Sequence, residues 1–273
     1  MIISRFSAYA FLLLAIAAPA LAQYRQVPRL PAGISPEGER YERCLAQAVK
    51  TPGDAFEEAL AWQAQGGAEA ARHCAAVALL YNNQPEAAAM RLEQLAQDMR
   101  LQPAGRRAEV VAQAGRAWLE GRNVTRAAAA FSAALELSPD NPEIWIDRAE
   151  AYANAANYWE AIDDLNRAIE LDRRRADAYT FRAAAYRFVK EYGLAMEDAA
   201  RAVELAPNLA DAWLERAILN RLKSDVPAAR RDFLQVLLLD PDGAAGDAAR
   251  ANIESMELKL GNEPPAPPSR RRR

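Results

Sequence analysis

Apolar positions along this chain recur at steps of three and four, and that spacing itself recurs every 34 residues. Trp145, Ala149 and Tyr152 fall on one face of a helix, and Ile162, Leu165, Ala168 and Ile169 fall on one face of the next. An aromatic residue, an Arg three positions on and then an Ala return as Trp145/Arg148/Ala149, Tyr179/Arg182/Ala183 and Trp213/Arg216/Ala217. A fixed period of this length predicts a stack of small repeated units. Setting Ala127, Ala161, Ala195 and Ala229 in register gives four units, 108–141, 142–175, 176–209 and 210–243. Pro139, Pro207 and Pro241 stop the second helix in three of them, because the residue before a proline is driven out of the helical region. Each unit is therefore expected to be a helical hairpin.

Outside those units the period fades without vanishing. Residues 37–107 are expected to hold two degenerate hairpins, one turning at Pro52-Gly53-Asp54 and one at Asn82-Asn83-Gln84-Pro85. Residues 244–263 hold a final amphipathic helix, over about 246–260, that covers the open end of the stack as terminal elements do. Segments 23–36 and 264–273 contain proline and little to pack, and are expected to be disordered.

Gly115, Trp118, Ala127, Phe131, Ala134 and Pro139 in the first unit, and Trp145, Ala149, Tyr152, Ala161, Leu165 and Ala168 in the second, form a pattern that resembles the tetratricopeptide repeat. The small residues Gly115, Ala149, Ala183 and Ala217 let each first helix approach the second where the four register alanines face them. Two places depart from the pattern: Asn220 stands where an aromatic is expected and Ala199 where a large apolar residue is expected, which predicts looser packing there. The resemblance implies an all-α, right-handed superhelix of stacked hairpins whose first helices line a concave groove for peptides or protein segments. Carried over place by place, the groove comprises Glu109, Gln113, Arg116 and Glu120, then Glu143, Asp147, Glu150 and Asn154. The third unit adds Asp177, Thr180, Phe181, Arg187 and Phe188, and the fourth Asp211, Glu215, Ile218 and Arg221. The Lys and Asn set by which some family members clamp a C-terminal carboxylate is not visible, so chaperone-tail binding is not carried over.

Composition narrows the function. The chain has 34 Lys plus Arg against 37 Asp plus Glu, a net charge of -3, but Arg270 to Arg273 are all basic. Without that tail and Arg5, 29 basic residues face 37 acidic ones, a net of -8. Such a body lacks the clustered cations that nucleic acid demands. Arg5, the mostly apolar run from Phe6 to Ala18 and Ala20-Leu21-Ala22 read as a secretory signal peptide over 1–22. The run is shorter than the roughly 20 residues of a spanning helix, so the mature chain is expected to be exported without a membrane span, and periplasmic if the source is Gram-negative.

Catalytic chemistry finds little purchase. The sequence has no Gly-rich phosphate loop, no Gly-x-Ser-x-Gly turn and no His-x-x-x-His pair, and a single histidine, His73. Cys44 and Cys74 are expected to form a disulfide, since two cysteines in an exported chain lie 30 residues apart, near one period, on neighbouring first helices. The alternatives are a metal site of Cys44, Cys74 and His73, or a redox-active pair without a CxxC spacing. Otherwise His73 is a surface or partly packed side chain. Arg148, Arg182 and Arg216 are each followed sixteen residues on by Asp164, Asp198 and Asp232, whereas the first unit holds Ala114 and Ala130 at both places. This joint loss predicts an Arg–Asp pair within each hairpin, worth at most about 1 kcal/mol if exposed to solvent.

These readings converge on a non-catalytic scaffold or adaptor with no cofactor, binding a protein or peptide partner. The alternative is an accessory subunit of an envelope enzyme or of a secretion or assembly complex. The acids Glu143, Asp147, Glu150, Asp177, Asp211 and Glu215, beside Phe181 and Phe188, lead us to expect a basic and apolar segment as ligand, with the Arg270–Arg273 tail either a competitor for the groove or an arm for a separate anionic surface.

Overall fold

A computed structural model of the chain describes Arg29 and residues 38–261, the last four of these as backbone only. The signal peptide, the remainder of segment 23–36 and the Pro/Arg tail lie outside the described residues. Among the described residues there are thirteen helices and no strand. They are α1 (Gly38–Lys50), α2 (Pro52–Ala64), α3 (Ala68–Tyr81), α4 (Pro85–Asp98), α5 (Ala104–Glu120), α6 (Val124–Leu137) and α7 (Pro142–Asn154). The remainder are α8 (Tyr158–Leu171), α9 (Ala176–Phe188), α10 (Tyr192–Leu205), α11 (Ala210–Leu222), α12 (Val226–Leu239) and α13 (Ala244–Gly261). Together they make an all-α solenoid of stacked hairpins.

Local chemistry sets the boundaries. Pro52, Pro85 and Pro142 open α2, α4 and α7, where a missing N–H costs nothing. The side chains of Asn123, Asn141 and Asp225 accept hydrogen bonds from backbone N–H groups in the first turns of α6, α7 and α12. The second helices end at Leu137, Leu205 and Leu239, two residues before Pro139, Pro207 and Pro241. The turn inside each hairpin uses one left-handed residue at the same repeat place, Arg122, Ala156, Lys190 and Ser224, with φ of 60–67°. Next to it, Asn123, Asn157, Glu191 and Asp225 donate their N–H groups back to the carbonyls of Trp118, Tyr152, Tyr186 and Asn220, which closes the first helix with a Schellman-type cap. None of these residues is glycine, so the turn was invisible to a search for Gly-containing signals.

Small residues bring the helices together. A Cβ added to Gly115 would lie 2.6 Å from the Phe131 ring, so α5 reaches α6 only because glycine stands there. Ala149, Ala183, Ala217 and the register alanines at 127, 161, 195 and 229 are buried at the corresponding crossings. The looser packing expected around Ala199 is not found: Leu219, from the following hairpin, packs into the same cluster and is fully buried. Asn220 turns its amide to Asp232 instead of packing as an aromatic would.

Each second helix also packs on the first helix of the next hairpin, so the clusters of buried residues merge from Tyr41 to Met256 without a domain break. The first helices α5, α7, α9, α11 and α13 touch in succession, while successive second helices do so far less. The array therefore curves with the first helices inside, and their exposed sides form its inner face.

Candidate functional site

The inner face is built from first-helix side chains, and its charges are largely matched from one hairpin to the next. Arg116 on α5 donates from Nε to Asp147 on α7 at 2.9 Å and lies 3.6 Å from Glu109. Arg175, just ahead of α9, joins Glu143 of the preceding hairpin at 2.7 Å and holds both carboxylate oxygens of Asp177. Arg187 on α9 holds both carboxylate oxygens of Glu215 on α11, and Glu215 is only 5 % exposed. Five of the acids expected in the groove, Glu109, Glu143, Asp147, Asp177 and Glu215, thus have arginine partners. Asp147 is still pushed up to about 6, because burial outweighs the pull of Arg116 and the charge of Glu143 adds to it.

Glu150 and Asp211 differ from these five, having no hydrogen bond or ion pair to their side chains among the described residues. Burial, with the nearby Asp147, pushes Glu150 up to about 7, and burial with Asp240 raises Asp211. Asn154 spends its amide on the carbonyl of Glu150 at 2.9 Å. Thr180 is buried and donates to the carbonyl of Ala176, one turn back on its own helix, which leaves it turned into α9 and away from any ligand. Phe181 packs with the Ile146 and Leu165 cluster, and Phe188 stacks on Tyr158 with ring centres 4.5 Å apart. Ile218 is buried in a separate cluster with Leu214 and Phe233, Arg221 is half-buried, and Glu120 lies exposed at the end of α5.

The N-terminal part of the inner face is closed by a polar chain that the sequence did not show. Gln113 donates from Nε2 to the carbonyl of Arg29 at 2.8 Å and accepts at Oε1 from Nε2 of His73 at 2.7 Å. Nδ1 of His73 then accepts from the Tyr41 hydroxyl at 2.9 Å. These partners fix the Nε2–H tautomer, since an amide that donates to Arg29 offers only its oxygen to the ring. His73 is 0 % exposed, and burial drives it down to about 4 against a smaller opposing pull from Gln113. It is therefore neither a surface nor a partly packed residue. Arg29 also reaches Glu42 at 3.0 Å, so Arg29 lies across α1 and α5 above this chain.

Cys44 and Cys74 form a disulfide between α1 and α3, with Cα atoms 6.2 Å apart. Their sulfurs are bonded to each other, which removes the thiolates a metal site with His73 would need. Among the described residues no group of three or more His, Cys, Asp or Glu is placed to hold a metal ion. No helix among them is long and apolar enough to cross a membrane.

Arg175, which ties Glu143 to Asp177, was missed because it occupies a turn place and repeats nowhere: Asn141 and Leu209 stand one period to either side. His73 was misjudged because its partners sit 32 and 40 residues away, off the 34-residue period.

Residues 119–185 and 176–209 match two models of the tetratricopeptide repeat. Among solved structures, residues 41 to the end of MamA from Desulfovibrio magneticus RS-1 are similar at 22 % identity, with a TM-score of 0.52 over 61 % of this chain and 91 % of that one. Another MamA crystal structure is similar at 18 % identity and a TM-score of 0.52, over 61 % of this chain and 94 % of that one. At such identity the likeness speaks to the fold. A comparison with curated proteins gives no match. Period, hairpin geometry and family models agree that residues 119–209 are tetratricopeptide repeats, within a solenoid of the same fold.

Proposed function

We propose that this protein is a non-catalytic scaffold or adaptor that binds a protein segment along its inner face. The observation that carries the reading is the set of ion pairs linking successive first helices, Arg116–Asp147, Glu143–Arg175–Asp177 and Arg187–Glu215. They hold the inner face in one arrangement before any partner arrives, so little ordering cost falls on binding. Nothing in this arrangement pairs a nucleophile with a base. The same pairing weakens the case for a strongly basic ligand, because only Glu150 and Asp211 among the six inner acids lack an arginine.

Export is part of the proposal, supported by the pattern over Met1–Ala22 and by a disulfide of the kind that oxidising compartments preserve. The periplasm is its destination if the source is Gram-negative.

A photo-crosslinking residue at Ala184, which shares its repeat place with Glu150 and Ile218, tests the binding face in intact cells. Trp159, 58 % exposed on a second helix, is the outer control. Adducts with discrete partner segments are expected at 184 and not at 159; adducts confined to 159 sink the reading. Mass analysis of the N-terminus tests export, which fails if Met1–Ala22 is retained.

A further inference from the structure

Arg187 and Arg221 occupy the same place in consecutive hairpins, 34 residues apart. At the first, Glu215 comes from the next first helix and takes two hydrogen bonds from the guanidinium. One period beyond Glu215 stands Ala249, on α13, fully buried and without a carboxylate. The place of Arg221 thus lacks the acid that serves Arg187, while one period before Arg187 the two places hold Ala153 and Phe181.

Arg221 has no substitute. Its Nε is buried with no hydrogen-bond partner among the described residues. Arg187 is near enough to repel it, and Glu215 has both oxygens committed to Arg187. Burial without a counter-ion depresses its affinity for the proton, with Arg187 adding to the effect. An uncompensated guanidinium beside apolar side chains is costly, whereas replacing it by a neutral residue of similar size would remove that cost. Leu222, next along the helix and exposed, supplies apolar surface on the same helix, while Ile218, one turn back, is buried in the core.

On the reading that the inner face binds a protein segment, we propose that Arg221 anchors a carboxylate of that segment, supplying from outside the acid that α13 lacks. The carboxylate is carried by an Asp or Glu side chain or by a free C-terminus, with an apolar neighbour to lie on Leu222. A guanidinium binds a carboxylate through two parallel N–H bonds, and with Nε of Arg221 buried the two Nη groups are the ones left to make them, whereas Arg187 uses Nε and Nη2 on Glu215.

The test uses three acetylated peptides of one Leu/Ser sequence: one with a free C-terminal carboxylate, one amidated, and one amidated with a single internal Glu. Affinity is read by fluorescence polarisation on the full chain and on Arg221→Gln. A charged hydrogen-bond pair predicts that one of the acidic peptides binds at least about ten-fold more tightly than the neutral amide. That advantage should vanish in Arg221→Gln, and the arm that shows it names the source of the carboxylate. Arg221→Gln should keep or raise the thermal midpoint, whereas Arg187→Gln should lower it. Equal affinity for all three peptides, an advantage that survives Arg221→Gln, or no binding of either acidic peptide at millimolar concentration overturns the proposal. The scaffold reading is decided separately by the crosslinks at 184. A Glu263→Gln variant that gains affinity for the acidic peptides would also overturn it, by showing that the chain's own Glu263 fills the place.

Discussion

Nε and Nη2 of Arg182 each lie 2.7 Å from a separate carboxylate oxygen of Asp198, across the two helices of one hairpin. The third nitrogen, Nη1, donates to Asn166 of the preceding hairpin at 2.7 Å. The same fork recurs at Arg148, which joins Asp164 and reaches back to Ser132 at 3.0 Å. One guanidinium therefore closes its own hairpin and stitches it to the one before. The pair is 17 % and 9 % exposed, so it is not the solvent-screened contact that its sequence spacing alone suggested. Breaking it should cost roughly 2–3 kcal/mol in either single variant, Arg182→Ala or Asp198→Ala, because the survivor is left buried and unpaired. The double variant should cost clearly less than their sum in urea unfolding. Additive losses would show that the two side chains do not act together. Asn166→Ala should cost about 1 kcal/mol through the bond between hairpins.

The pairing within the hairpin was legible because Ala114 and Ala130 lose both partners at once. The bond back to Ser132 or Asn166 was not, since it depends on how one hairpin lies on the last. For Arg216 of the fourth hairpin that place, on the third, is Ala200, and Asn220 bonds Asp232 instead. Helix boundaries and buried alanines followed from the period, whereas the direction of a side chain on its helix did not. Thr180 sits one residue from Phe181, and that single step turns it inward. Inner-face acids were legible as charges, but their neutralisation was hidden. Arg175 acts from a turn, and the match between Arg187 and Glu215 crosses two units.

The disulfide joins the first helices of the two least regular hairpins. Closing the segment between Cys44 and Cys74 is worth roughly 3–4 kcal/mol on a chain-entropy estimate. Reduction, or Cys44→Ala with Cys74→Ala, should therefore open α1 to α4 before the central hairpins, because stability in a stack is passed between neighbours. Hydrogen exchange read segment by segment would show faster exchange over residues 38–98 and little change over 142–205. Uniform loss of protection along the chain would instead mean that the stack unfolds as one unit.

The non-glycine turns make a prediction of opposite sign. Ala156 holds φ at 60°, where an L side chain costs roughly 1–2 kcal/mol, and glycine returns about half of that as unfolded-chain entropy. Ala156→Gly should thus stabilise by about 0.5 kcal/mol, and Lys190→Gly should do much the same. A loss of stability in thermal unfolding would show that the Cβ at these places makes a contact worth more than the strain.

Two buried groups should bend the pH dependence of stability in opposite directions. His73 binds its proton less readily in the folded chain, at about 4, than in the unfolded chain, near 6.5. Between those values the unfolded state holds more protons, so the contribution of His73 is complete above pH 6.5 and is lost as pH falls towards 4, by about 3 kcal/mol. Glu150 lies the other way, raised from 4.5 to about 7, so the folded state holds more protons between those values. Its contribution is complete below pH 4.5 and is lost as pH rises through 7. Acid should therefore loosen α1, α3 and α5 around His73 while alkali loosens α7, and exchange protection measured at pH 5 and pH 8 should shift between the two regions. Glu150→Gln removes the second effect: it should raise the thermal midpoint at pH 8 by a few degrees, for about 1 kcal/mol, and leave pH 5 almost unchanged. An equal gain at both pH values would show that the substitution acts independently of the charge, whereas a loss at both would show that Glu150 is already ionised at pH 5 and that its neighbours on the inner face stabilise the charge instead of opposing it.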